Sequence, residues 1–442
     1  MHARIRPAAV LGMVLTMLAT FGVSLALSPP AQAAQVIADI PYASEDPVGS
    51  RGHLLDLYLP TGGLTPRPLL IWHKGSAWSS DEGKSGAADI AAVFNAKGWA
   101  VAGVSVRSST QAVFPAQVHD IKAAIRWLRH NAPAYQLDPN RFAMMGDSSG
   151  GWLTEMATFT GGVAALEGTV GATGVSSSVQ AGLAFFSPTD FLQMNAQNLP
   201  GGGLDHNSPI SPESLLVGCA IQTCPATVAQ ANPINYVDAN DPPVLFLHGQ
   251  ADFLVPHGQS VLLYNKIKSV CGNGQFISIP GADHGRADVM DPARFGTQTS
   301  YATTNCGEAI LAGGGAPNPT WDTFEMFLRG ALKMGTSCQV TWQASNWSGG
   351  FNGTVTIKNT GTTPISGWRL SWNWAGNQQV TAFWNTNLTQ TGTQVVARDA
   401  GHNANIGPSS SVSFGYEASV TGTNAPPAEF RLNGIPCARV IV

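Results

Sequence analysis

Apolar residues fall into two rhythms along this chain. Through the first three quarters, short continuous apolar runs alternate with segments of helical period. The runs cover residues 53–58, 69–73, 100–106, 142–145, 181–186, 244–248 and 276–279. Uninterrupted runs of this length predict strands covered on both faces, as in a parallel sheet. Between them, residues 117–129 place Val118, Ile121, Ala124, Ile125 and Leu128 on one helical stripe, and residues 320–332 predict a closing helix. The alternation predicts an α/β fold, a mostly parallel sheet flanked by helices.

Beyond Cys338 alternating strand patterns appear, at 353–358, 368–374, 394–398 and 411–416, with turn residues between. That pattern predicts an all-β sandwich. The expected division is 1–33 leader, 35–334 α/β domain and 338–437 sandwich, with a short join at 334–337 that keeps the two domains close.

Composition sharpens this division. Six of the twelve tryptophans lie in 338–437, a segment with few charges. Flat aromatic faces stack on the C–H faces of sugar rings with little need for ionic contacts. Charged residues make up 11% of the chain and the formal net charge is -4, which excludes a basic nucleic-acid surface.

The N-terminus reads as a secretory signal: Arg4 and Arg6, an apolar stretch over 8–27, then Ala31-Gln32-Ala33 as a small-x-small cleavage site. An uncleaved anchor is the competing interpretation, disfavoured by Pro29, Pro30 and the cleavage triplet. The expected product is extracellular, with no membrane association after removal. Six cysteines then suggest disulfides. Cys219 and Cys224 are spaced to close a tight loop and Cys338 and Cys437 bracket the sandwich. Cys271 and Cys306 remain, and one or more free thiols is the alternative.

The candidate chemistry lies in Gly146-Asp147-Ser148-Ser149-Gly150, directly after an apolar run. A G-x-S-x-G string between strand and helix is a nucleophile elbow, with Ser148 exposed on a strained turn. A serine hydroxyl needs a base, and the base needs an orienting acid. Asp252 follows the strand at 244–248 and His284 follows the strand at 276–279, in the chain order such enzymes use. Asp283 competes for the acid role, but neighbouring residues rarely present converging side chains. Oxyanion donors are expected from the amides of Ser149, Gly75 and Ser76. The remaining histidines, His73, His119, His130, His206, His248 and His257, are expected to be structural or solvent-facing. None shows zinc-site spacing, and neither metal nor other cofactor is expected in catalysis.

On these residues, 40–332 resembles the α/β-hydrolase superfamily, and within it secreted bacterial esterases of the feruloyl-esterase-like group. The resembling segments are 72–78, Phe114-Pro115-Ala116-Gln117 leading into 123–129, Leu137-Asp138-Pro139-Asn140-Arg141 before the elbow, and Pro256 after Asp252. The resemblance implies Ser148, Asp252 and His284 as triad. Lys74 departs from it, standing where relatives place histidine. Residues 285–319 look like an insertion, expected to cover or shape the acyl pocket.

Residues 338–437 resemble a family 2 carbohydrate-binding module, through the paired end cysteines, Asn346-Trp347-Ser348-Gly349-Gly350-Phe351, Ser366-Gly367-Trp368, Gln378-Gln379-Val380 and Leu432-Asn433-Gly434. Cellulose-binding members carry three exposed tryptophans. Trp347 and Trp384 match two, and His402 stands at the third. Trp368 is expected in the core, with Trp342, Trp372 and Trp374 open between core and surface.

Together these imply a secreted serine esterase that removes hydroxycinnamoyl (such as feruloyl) or acetyl groups from plant cell-wall polysaccharide, held on cellulose or xylan. The alternatives are a polyester depolymerase or general carboxylesterase, and a carbohydrate-binding protein with an inactive hydrolase domain.

Overall fold

The computed structural model describes residues 35–60, 66–334, 338–362, 364–427, 429–433 and 435–442. The expected leader, 1–33, lies outside the described residues, as do most of the join residues. Among the described residues, no helix is long and apolar enough to cross a membrane.

A ten-stranded sheet carries the first part of the chain. Its strands are β1 (Gln35–Pro41), β2 (Leu54–Leu59), β3 (Arg67–His73), β4 (Ala100–Val104), β5 (Leu137–Asp147), β6 (Ala181–Phe185), β7 (Val244–Gly249), β8 (Gly274–Ile279), β9 (Thr299–Thr304) and β10 (Gly307–Ala312). They lie in the order β1-β2-β4-β3-β5-β6-β7-β8-β9-β10. Pairing is parallel from β4 through β8 and antiparallel at both ends. Helices α1 (Ala87–Asn95), α2 (Ala116–His130), α3 (Ser149–Phe159), α4 (Pro212–Val217), α5 (Pro225–Ala231), α6 (Gly258–Ser269), α7 (Arg286–Val289) and α8 (Trp321–Ala331) connect and cover the strands.

The continuous apolar runs are explained by two cores, one on each face. In β3, Leu69 and Ile71 enter one core while Leu70 and Trp72 enter the other. In β5, Phe142 and Met144 join the first, Ala143 and Met145 the second. Period-two side chains buried on both sides leave no polar position in the run. This is the α/β-hydrolase arrangement.

Residues 285–319, the apparent insertion, hold α7, the β9–β10 hairpin and the turn that follows it. Its β9–β10 hairpin, residues 299–312, continues the sheet beyond β8. Cys306 in its turn is disulfide-bonded to Cys271 at the foot of β8. The following glycines meet the sandwich: Gly314 O accepts from Arg369 Nε (3.0 Å) and from Arg398 Nη2, and Gly315 O accepts from Arg369 Nη2.

The second part is a sandwich of β11 (Cys338–Trp347), β12 (Gly350–Asn359), β13 (Ile365–Ser366), β14 (Arg369–Asn373), β15 (Gln379–Trp384), β16 (Asn387–Thr391), β17 (Gln394–Arg398), β18 (Asn405–Ile406), β19 (Ser411–Ser419), β20 (Phe430–Leu432), β21 (Ile435–Pro436) and β22 (Ala438–Ile441). Two five-stranded sheets, β15-β19-β12-β11-β22 and β16-β17-β14-β20-β21, enclose a core of Trp342, Trp368, Trp372, Trp374, Phe351, Phe414 and Tyr416. The undecided tryptophans are therefore interior. Trp342 donates its indole N–H to Tyr416 Oη (2.7 Å), satisfying a donor that burial would otherwise strand. Cys338 bonds Cys437, and Cys219 bonds Cys224. Among the described residues no cysteine is free.

Candidate active site

The site is built where β3, β5, β6, β7 and β8 end. β5 stops at Asp147 and α3 starts at Ser149, leaving Ser148 at φ 53°, ψ −124°. A non-glycine residue at positive φ costs about 1–3 kcal/mol and persists only where its surroundings impose it. Here they do. A Cβ on Gly150 would fall 2.2 Å from His73 O, and one on Gly146 would fall 2.3 Å from Gly150 O. Ser148 N–H is donated to Phe185 O (2.9 Å), which fastens the turn to β6. Among the described residues, no hydrogen bond reaches Ser148 Oγ, so the hydroxyl stands open; catalytic hydrogen bonds of unliganded enzymes commonly close only on substrate.

Asp252 and His284 arrive on adjoining loops. Gln250 N–H is donated to Ile279 O and Ala251 N–H to Ala282 O (both 2.9 Å). Gly249 permits this approach, since a Cβ there would lie 2.1 Å from Ala282 O. Across the join, Asp252 Oδ2 meets His284 Nδ1 at 2.7 Å. Its Oδ1 accepts from the amides of Leu254 and Val255 (2.8 Å each). Burial opposes ionisation of Asp252, but hydrogen bonds from His248 and His284 outweigh it and hold the carboxyl well below the usual carboxylate range. An ionised Asp252 requires the proton on His284 Nδ1, which leaves Nε2 as a lone-pair acceptor. The imidazole packs 4.5 Å from the Phe186 ring, next in sequence to the residue that receives the Ser148 amide. Asp283, the competing acid, accepts instead from the backbone amides of His284 (2.7 Å) and Phe253 (3.3 Å).

The amides expected as oxyanion donors are not equally free. Gly75 N–H is donated to Asp147 Oδ1 (2.6 Å) and Ser76 N–H to Ser149 Oγ (2.9 Å), so both amides are occupied. Gly75 is needed for another reason: a Cβ there would lie 2.6 Å from Ser148 Cβ. Among the described residues, the Ala77 and Ser149 amides have no partner. Ser149 N–H belongs to the first turn of α3, where helices leave donors unpaired. Ala77 sits at φ 52° between Ser76 and Trp78, whose amides both point to Ser149 Oγ. That places the free Ala77 amide in the loop over the start of α3.

Sequence reasoning passed over three residues that touch the site. His248 lies 3.2 Å from Asp252 Oδ2 and is itself held by Ser260 Oγ and Val255 O. Its position at the end of β7 was a signal, since residues there face the catalytic loops. Phe186 and Asp147 carried the same positional signal. His73 is fully enclosed, and burial pushes its imidazole down to about 4.

In the sandwich, Trp347 and Trp384 are each 46% exposed. Both lie on the outer face of one sheet, each across a glycine on the neighbouring strand: Trp347 pairs with Gly350 and Trp384 with Gly415. A Cβ on Gly415 would fall 2.3 Å from the Trp384 ring. His402 is exposed in a loop fastened beside Trp384 by Asn403 Nδ2, which donates to Asn385 O (2.8 Å).

The BD-FAE family model matches residues 55–267, and the Cellulose binding domain model matches residues 338–437. Exoglucanase A of Cellulomonas fimi is 42% identical over 100 residues, 23% of this chain and 12% of that protein. Esterase LipQ of Mycobacterium tuberculosis is 27% identical over 253 residues, 56% of each chain. A solved structure described as a truncated form of carbohydrate esterase from gut microbiota is 35% identical. It covers 58% of this chain and 90% of its own, with a TM-score of 0.53. The chain thus spans about half the length of the curated esterase and about a tenth of the curated glucanase.

Proposed function

The chain belongs to the BD-FAE family of esterases and carries a C-terminal cellulose binding domain, and from that premise we propose that it is a secreted serine esterase releasing hydroxycinnamoyl groups from cellulose-associated wall polysaccharide. Residues 35–334 carry the chemistry and 338–437 the attachment. The observation that carries the proposal is the 2.7 Å contact between His284 Nδ1 and the buried Asp252, on loops tied to the Ser148 turn through Arg286–Asp147 and His284–Phe186.

In this mechanism His284 Nε2 takes the proton from Ser148 Oγ as the oxygen attacks the ester carbonyl carbon. Asp252 fixes the tautomer and stabilises the imidazolium. The negative charge that forms on the carbonyl oxygen meets the amides of Ser149 and Ala77; one such donor is worth about 10²–10³ in rate. His284 then protonates the departing sugar hydroxyl, leaving an acyl-serine. Water attacks that ester with His284 again as base, and the acid is released as Ser148 regains its proton.

Hydroxycinnamoyl is placed ahead of acetyl because the acid loop presents an apolar rim. Phe253 and Leu254, next to Asp252, are 44% and 52% exposed, and an aromatic acyl group covers such a surface where acetate does not. Export is supported by the leader-like N-terminus and by the disulfides. Attachment to cellulose raises the local concentration of linked esters without altering the site.

The test is a product assay on native cell-wall material, separating hydroxycinnamates from acetate, run beside Ser148→Ala. Release of hydroxycinnamate by the wild type alone is expected. Acetate as sole product would revise the acyl group. Undiminished release by Ser148→Ala would overturn the mechanism.

A further inference from the structure

Three loops carry the chemistry: the oxyanion loop after β3, the elbow after β5 and the His284 loop after β8. One carboxylate touches all three. Asp147, immediately before Ser148, accepts Gly75 N–H at Oδ1 (2.6 Å) and forms an ion pair with Arg286, whose Nε lies 2.9 Å from Oδ2. Arg286 opens α7, two residues beyond His284. Its guanidinium also lies over the Trp72 ring, with Cζ 4.5 Å from the centroid. Trp72 is fully buried in β3 and donates its indole N–H to Ser85 O (2.9 Å), so this platform is fixed.

The side chains of Asp147 and Arg286 are 13% and 25% exposed, so solvent screens this pair less than it screens a surface ion pair. The arginine is held twice, by an ion pair and by an aromatic face. The consequence concerns the loops. Asp252 fixes His284 from β7 through a single ring nitrogen, and Arg286 anchors the same loop from the side of β3 and β5. Gly75, by turning its amide to Asp147, sets the path on which the Ala77 amide remains unpaired.

We infer that Asp147 and Arg286 form a positioning pair that holds the oxyanion loop and the His284 loop at a fixed separation. Neither residue contacts substrate; both act through Gly75 and the start of α7. The inference rests on the serine-esterase mechanism above.

The test measures kcat and KM on a soluble aryl ester for Asp147→Ala, Asp147→Asn, Arg286→Ala and Arg286→Lys, with melting temperatures and Ser148→Ala as control. Arg286→Ala and Asp147→Ala are expected to lose about 10²-fold in kcat with KM changed by less than about two-fold, because misplaced catalytic groups raise the barrier without weakening ground-state binding. Asp147→Asn retains an acceptor for Gly75, and Arg286→Lys retains a charge for Asp147, so each is expected to recover part of the loss. Wild-type kcat in both alanine variants overturns the inference. So does a loss that follows the melting temperature equally in all four, since that is a stability effect. Activity surviving in Ser148→Ala refutes the underlying mechanism; an inactive Ser148→Ala beside unaffected pair variants refutes the positioning role alone.

Discussion

At the two candidate sites of this molecule, glycine serves opposite purposes. In the α/β part, the missing Cβ lets backbone meet backbone: Gly150 against His73, Gly249 against Ala282. Loops of the candidate site that would otherwise stand apart are brought into register. In the sandwich, the missing Cβ lets an indole lie flat on the sheet: Gly350 beneath Trp347, Gly415 beneath Trp384. The first use fixes distances on which bond-making depends. The second fixes only the height and tilt of a stacking surface. Perturbations should therefore be steep in one part and shallow in the other, and should not cross between them.

The steepest expected effect is His284→Ala. Loss of the base should cost about 10⁴-fold or more in kcat on a soluble ester, while cellulose pull-down stays at wild-type level. A parallel loss of pull-down would break the separation.

Both parts bury polar side chains, Arg369 among them in the sandwich. The α/β part hides Glu155 in α3, fully buried between Ser187 Oγ and Thr189 Oγ1 (3.1 Å to the latter). Burial pushes its carboxyl up to about 8, against the opposing hydrogen bonds from those hydroxyls. The folded pKa is raised, so between the ordinary carboxylate value and pH 8 the folded state binds the extra proton. Stability then falls as pH rises through that window. Glu155→Gln keeps a neutral partner for both hydroxyls and removes the titration. Its stability is expected to fall less from pH 5 to 8 than the wild type's, the difference reaching on the order of 4 kcal/mol at the alkaline end. Identical pH profiles would mean Glu155 is ionised inside the fold.

Legibility in the sequence follows the same division. The central strands were readable because burial on both faces leaves an unbroken apolar run, as in β3 and β7. The meeting of Asp252 with His284 was readable because each follows such a run. β1, β9 and β10 were not, since they lie at the sheet's ends and their residues are largely half-buried or exposed. The occupied amides of Gly75 and Ser76 could not be foreseen, because which amide turns toward which side chain depends on contacts across more than seventy positions. In the sandwich, alternation marked strands but not which face was wet, so Trp342, Trp372 and Trp374 stayed undecided until two sheets enclosed them.

The next effect down is on attachment. Exposed tryptophans at binding surfaces carry roughly 2 kcal/mol each when truncated. Trp347→Ala with Trp384→Ala is expected to abolish retention on cellulose columns, leaving kcat and KM on a soluble ester unchanged. Retention at wild-type strength would place the binding face elsewhere in the sandwich.

The shallowest test isolates the glycine itself. Gly415→Ala puts a methyl where the Trp384 ring now lies, 2.3 Å from its nearest atoms. Trp384 is on β15 at the sheet edge and is half exposed, so the ring can tilt outward rather than disrupt the core. The cost is then confined to stacking geometry, and cellulose affinity is expected to fall about three- to ten-fold, roughly 1 kcal/mol, with an unchanged melting temperature. Gly150→Ala offers no such escape, because the obstacle is the carbonyl of His73 inside a closed turn. If Gly415→Ala instead unfolds the sandwich, or Gly150→Ala leaves hydrolysis within two-fold of wild type, then glycine is not divided between the two parts in the way these contacts require.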